Sequence, residues 1–166
     1  MPRRALILSC LLWLGFAAAQ EPTTANDELL HSARLWEARD RGDLARLALE
    51  KLIAARPDSP EPLFELGELQ LREGNIAEAR RILQLLEERF PHSRETRTFA
   101  TELRVATRDR LQLASIQRLI QLGRGTEARQ ELDRLFPDGA PDGMYGIEYY
   151  LLLARTPGGW ESARVG

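Results

Sequence analysis

Glu65 and Glu68 stand one helical turn apart in "FELGELQ", and Glu87 and Glu88 are adjacent in "LLEERF". Two carboxylates held close together are the equipment of general acid and base catalysis. Both pairs, however, fall on what reads as the polar face of a helix, where such pairs are solvated charges. His31 and His92 lie far apart, and neither has a second ligand at the i+4 spacing that would share a metal. The glycines of "LGRG" and "PGGW" lack the GxxxxGK[ST] or GxGxxG spacing that cradles a phosphate. The serines have neither a nearby histidine nor an elbow motif. The sequence therefore predicts no catalytic residue, no metal site, no cofactor and no enzyme. Tyr145 and Tyr149 could stack on sugar rings, while Tyr150 is better explained by packing.

The elements that position these residues follow from composition and pattern. With 166 residues, 43% apolar and 29% charged, the chain can build a real core. The formal net charge is −2 with both signs interspersed, which argues against nucleic acid as partner, because phosphate neutralisation needs clustered Lys and Arg. The opening MPRRALILSCLLWLGFAAAQ places Arg3 and Arg4 before an apolar run from Ala5 to Phe16 and the small residues Ala17 to Ala19. This is the pattern of a secretory signal cleaved near Ala19, and its apolar run is shorter than the roughly 20 residues that span a bilayer. Cys10 leaves with it, so packing rather than disulfides must stabilise the mature, soluble chain.

From Asn26 onward the pattern is helical. Ile76, Ala79, Leu83, Leu86 and Phe90 advance by steps of three and four on one helix face, with charged residues between them, and no strand-like alternation appears. The expected fold class is all-α. Two blocks that end helices at Pro57 and Pro91 stand 34 residues apart, and Leu63, Leu66, Gly67, Ala79, Leu83, Leu86 and Pro91 resemble the tetratricopeptide repeat. That resemblance implies an α-solenoid of antiparallel helix pairs, with Gly67 and Ala79 small where the two helices of one repeat cross. The expected organisation is a signal peptide over 1–19, repeat 1 over 26–59, repeat 2 over 60–93, an extra helical segment over 94–108, repeat 3 over 109–142 and a truncated repeat 4 over 144–166. Repeat 1 departs at its turn, with Gly42 two places late. Ile116 stands where Gly67 stood, so the third pair should be splayed or shifted. The five-residue step from Gly74 to Ala79 recurs from Gly123 to Ala128 and from Gly158 to Ala163, which makes "TPGGW" an inter-helix turn and places Tyr150, Leu151 and Ala154 at inward positions. Ending three residues after Ala163 reads as a cut through a fourth repeat.

In the tetratricopeptide family the first helices line a concave groove. Carried over by register, the groove residues are Asp27, Leu30, Arg34 and Glu37 in repeat 1, and Glu61, Phe64, Glu68 and Leu71 in repeat 2. Carboxylates with a few apolar contacts suit a basic or amphipathic protein segment better than a neutral glucan, which would want aromatic platforms.

A closer likeness is carried by "ARLWEARDRGDLA", "LFELGELQLREGNIAEARRILQLLEERFP" and above all "LFPDGAPDG…IEYYLLLARTPGGWESAR". These blocks resemble the N-terminal region of the cellulose synthase operon protein C family of Gram-negative bacteria. The resemblance implies a periplasmic repeat scaffold of cellulose biosynthesis and export, tethered at the outer membrane through a β-barrel beyond this chain. The partners it implies are other proteins of the cellulose synthase complex, peptidoglycan-associated factors or the nascent glucan. A general periplasmic adaptor for another exopolysaccharide, or for envelope assembly, is the alternative.

Overall fold

The computed structural model describes residues 22–164; the expected signal peptide, with Cys10, lies outside the described residues. Among the described residues the chain is helix and turn, in the order α1 (Pro22–Glu37), α2 (Gly42–Ala55), α3 (Glu61–Arg72), α4 (Ile76–Arg89), α5 (Arg94–Thr107), α6 (Arg110–Gln121), α7 (Gly125–Leu135), α8 (Met144–Leu153) and α9 (Gly159–Ala163). α1 packs on α2, α3 on α4 and α6 on α7, while α2, α4 and α5 also pack against the neighbouring pair. This is an all-α solenoid of tetratricopeptide-repeat hairpins.

Local chemistry sets the repeat. α2 and α4 begin and end 34 residues apart, at Gly42 and Ile76 and at Ala55 and Arg89. Each closes with a backbone N–H bonding back one turn, Arg56 to the Leu52 carbonyl at 2.8 Å and Phe90 to the Leu86 carbonyl at 2.7 Å, before a proline that cannot continue a helix. α7 closes likewise, with Phe136 donating to Leu132 at 3.0 Å before Pro137.

Before α4, α7 and α9 the chain reverses through Gly74, Gly123 and Gly158, all left-handed at φ +77°, +73° and +69°. The first turn follows the same rule with a different residue. Asp40, 34 positions before Gly74, takes φ +56°, a region Asp enters more readily than most residues. Gly42 serves another need: a Cβ there would come within 2.1 Å of Glu73 Oε1. The turn of repeat 1 is thus in register, and Gly42 is a packing residue.

Three apolar clusters run along the solenoid. The first joins Ala33, Ala45, Leu49 and Leu52 to Leu69. The second joins Leu63, Ala79, Ile82 and Leu86 to Phe99 and Leu103. The third joins Val105, Ile116, Ala128, Leu132 and Phe136 to Tyr149, Leu152 and Leu153. α3 and α5 each contribute to two clusters, so the core is passed along through them.

α5 is a helix separate from α4. Ser93 caps it by accepting from the Thr96 N–H at 3.0 Å, and the Thr96 hydroxyl donates to the Phe90 carbonyl at 2.8 Å, fixing the corner between the two helices. The smallness of Gly67 serves the seam between α3 and α5: a Cβ at Gly67 would meet the Phe99 ring at 2.5 Å. That corrects the expectation of a close crossing inside the repeat, because the intruding group comes from the next element. Phe64 meets the same ring edge-on, with centroids 6.2 Å apart. A second correction concerns α8, where Tyr149, Leu152 and Leu153 are buried and Leu151, expected inside, is 61% exposed.

Two substitutions check this account. Gly67→Leu should drive a side chain into Phe99 and cost about 1–3 kcal/mol, read from the shift in urea midpoint. Asp40→Gly should relieve the left-handed strain and raise stability by up to about 1 kcal/mol in the same measurement.

Candidate functional site

The first helices α1, α3 and α5 line a groove of ≈ 550 Å³. Arg34 comes from α1, Glu61, Phe64 and Glu65 from α3, and Arg94, Glu95 and Thr98 from α5. Asp142 and Gly143 of the α7–α8 connection close it. Phe64 is half-buried on Phe99 and offers the apolar floor.

Both groove arginines are engaged. Arg34 is ion-paired to Glu65, whose side chain is 12% exposed. Arg94 holds Asp142 in a two-point pair at 3.0 and 2.9 Å, and that contact keeps the Asp142 carboxyl below its ordinary range. Glu61 lies 3.6 Å from Arg56. Glu95 adds a further carboxylate, so the groove carries an acidic excess around an aromatic floor.

The closing loop, residues 136–143 of sequence FPDGAPDG, is fastened to α5 at two places. One is Arg94 on Asp142, and the other is Glu102, whose Oε1 accepts from the Met144 N–H at 3.0 Å. Gly143 sits between them at φ +81°, where a Cβ would lie 2.1 Å from Glu102 Oε1 and 2.7 Å from Thr98 Cγ2. Conformation and space both demand glycine here.

The predicted groove residues separate in the structure. Arg34, Glu61 and Phe64 meet in the groove. Asp27 is exposed near the start of α1. Leu30 is 9% exposed and belongs to the first core cluster, and Leu71 packs against the second. Glu37 accepts from Arg72 at 2.6 Å, to one side. Glu68, whose side chain is 17% exposed, turns into the α3–α5 seam. The register could have found two missed lining residues, since Glu95 and Thr98 follow Glu61 and Phe64 by 34 positions. Asp142 had no periodic signal, because it reaches the groove from a loop.

The other candidate residues are also placed. His31 and His92 are exposed, and among the described residues no group of three or more His, Cys, Asp or Glu could hold a metal. Tyr149 is 7% exposed and meets Phe136 edge-on at 5.8 Å, so it cannot present a face to a sugar. Tyr145 and Tyr150 are partly buried against the same cluster.

Comparison with known proteins bears on this arrangement. Residues 37–102, which include α2, α3, α4 and much of α5, match the tetratricopeptide-repeat family. Cellulose synthase operon protein C of Xanthomonas axonopodis pv. citri (strain 306) is 35% identical over 164 residues, covering 94% of this chain and 11% of that protein. Cellulose synthase 1 operon protein C of Komagataeibacter xylinus is 33% identical over 138 residues, covering 83% and 10%. A crystal structure of the flexible tandem repeat domain from the corresponding component of bacterial cellulose synthase superposes with a TM-score of 0.62 at 29% identity, covering 85% of this chain and 58% of that one. The chain is a tetratricopeptide-repeat relative of the cellulose synthase operon protein C family. It spans about a tenth of the length of the curated relatives it matches.

Gly143→Ala should detach the closing loop at a cost of about 1–3 kcal/mol, since both the positive φ and the contact with Glu102 are lost to a methyl group. Limited proteolysis would then cut within 137–143 faster than in the unaltered chain.

Proposed function

We propose that this chain is a periplasmic scaffold of bacterial cellulose biosynthesis and export, aligning the synthase complex with an outer-membrane pore through protein–protein contacts rather than catalysis. The observation that carries the reading is the groove between α1, α3 and α5: an aromatic floor at Phe64 with carboxylates at Glu61, Glu65, Glu95 and Asp142. A basic or amphipathic segment of a partner in the complex fits it, its apolar side chain on Phe64 and its cations against Glu61 and Glu95. The similarity to cellulose synthase operon protein C proteins over most of the chain supports the pathway. Among the described residues no helix is long and apolar enough to cross a membrane. Attachment to the outer membrane would therefore come from elsewhere in the protein, and delivery to the periplasm from the leader over 1–19.

The chain used as bait in envelope extracts of a cellulose-producing bacterium should retain a protein of the synthase complex. Phe64→Ala with Glu95→Lys should weaken that capture at least tenfold while leaving the helical circular dichroism unchanged, and added salt should weaken it further. Capture of no synthase-complex protein, or equal capture by the variant, would exclude this groove as the contact.

A further inference from the structure

Glu102 is fully buried in the middle of α5. Its Oε1 takes the Met144 N–H, but Oε2 is also buried and meets no hydrogen-bond donor among the described residues if every carboxyl is ionised. The group facing it is Glu68 of α3, within hydrogen-bonding reach across the seam. A carboxylate in such a place has lost its water without gaining a donor, and two ionised carboxylates there would repel at short range. The remaining charges do not relieve this. Arg72, the cation facing both groups, lies 2.6 Å from Glu37 and 4.0 Å from Glu68. Glu37 of α1 and Glu65 of α3 add negative charge beside Glu68, and Tyr145 of α8 brings a phenol near Glu102. Arg34 is committed to Glu65.

We infer that Glu68 and Glu102 share a single proton in a carboxyl–carboxylate hydrogen bond that clasps α3 to α5, so that removing this proton loosens the seam and the loop that closes the groove. One proton removes both faults, because protonated Glu68 donates to the orphaned Oε2 and only one negative charge stays in the seam. The clasp reaches beyond the pair: α5 carries Arg94, Glu95 and Thr98 of the groove wall, and Glu102 holds the backbone of Met144 through its other oxygen. The inference concerns the seam itself and does not depend on what occupies the groove.

Burial first, and the charge of Glu102 next, push the Glu68 carboxyl up to about 7, and burial also raises Glu102. An unfolded chain releases the Glu68 proton near its ordinary value of about 4.3. Between those two values the folded chain keeps a proton that the unfolded chain has lost, so this contribution to stability is complete at low pH and is lost as pH rises through about 7.

Carbon-13 NMR of the side-chain carboxyls across pH 4 to 9 tests the clasp directly. Glu68 should titrate near 7, and its midpoint should move down in Glu102→Gln, where the facing charge is gone. Exchange of the Met144 amide, corrected for the intrinsic rate, should accelerate above neutral pH. In Glu68→Gln the amide donates to Glu102 at every pH, so the fall in thermal midpoint between pH 5 and 8.5 should flatten relative to the unaltered chain. Titration of Glu68 in the ordinary carboxylate range, a midpoint unmoved by Glu102→Gln, or parallel thermal profiles for the chain and Glu68→Gln would each overturn the inference. If Glu68→Gln fails to fold, the titration of the unaltered chain decides the matter.

Discussion

At Gly67 the backbone of α3 is bare, and the ring of Phe99 lies against it at a distance no side chain could tolerate. This contact lets α5 sit close on α3, and much of the concave side follows from it. Phe64 gains an edge-on partner, Glu95 and Thr98 are brought to the groove wall, and Glu102 is carried out of water. Move α5 outward by the width of a methyl group and all three consequences weaken together, because one rigid helix carries them.

The groove has walls of two kinds. Three are helical, and their side chains are placed by packing on the two clusters that α3 and α5 share. The fourth is the FPDGAPDG loop, which lacks helical hydrogen bonds and borrows its shape from α5 through Arg94 and Glu102. An ion pair at the surface contributes little on its own. The buried acceptor at Glu102 and the exclusion of any side chain at Gly143 do more to hold the loop. The loop is therefore only as well placed as α5 is.

How much could be read from the residues alone depended on whether a position reports its own repeat or a neighbour. The helix ends at Pro57, Pro91 and Pro137 were legible, because the stop is local chemistry. So was the helical nature of 94–108. Gly67 was legible as a place needing smallness, but its partner was not, since the Phe99 ring comes from 32 residues further on. Asp40 escaped notice because a glycine was sought, and the left-handed conformation admits Asp. Leu30 was expected in the groove and Leu151 in the core, and the rotation of each helix about its axis reversed both, a few tens of degrees that sequence register does not resolve. Glu102 gave no signal at all: in sequence it is one more acid on a charged helix, and only packing shows what surrounds it.

The division of the core into three clusters bears on how the molecule comes apart. A protein with one core unfolds as a unit, and injury anywhere is felt everywhere. Here the cluster of α1 and α2 touches that of α6 to α9 only by way of α3 and α5, so each segment draws its stability from immediate neighbours. Damage or tension at one end can melt a hairpin while the rest stays folded, and the lost pair can reform on the surface its neighbour still presents. A chain built this way yields stepwise under load and recovers from a template.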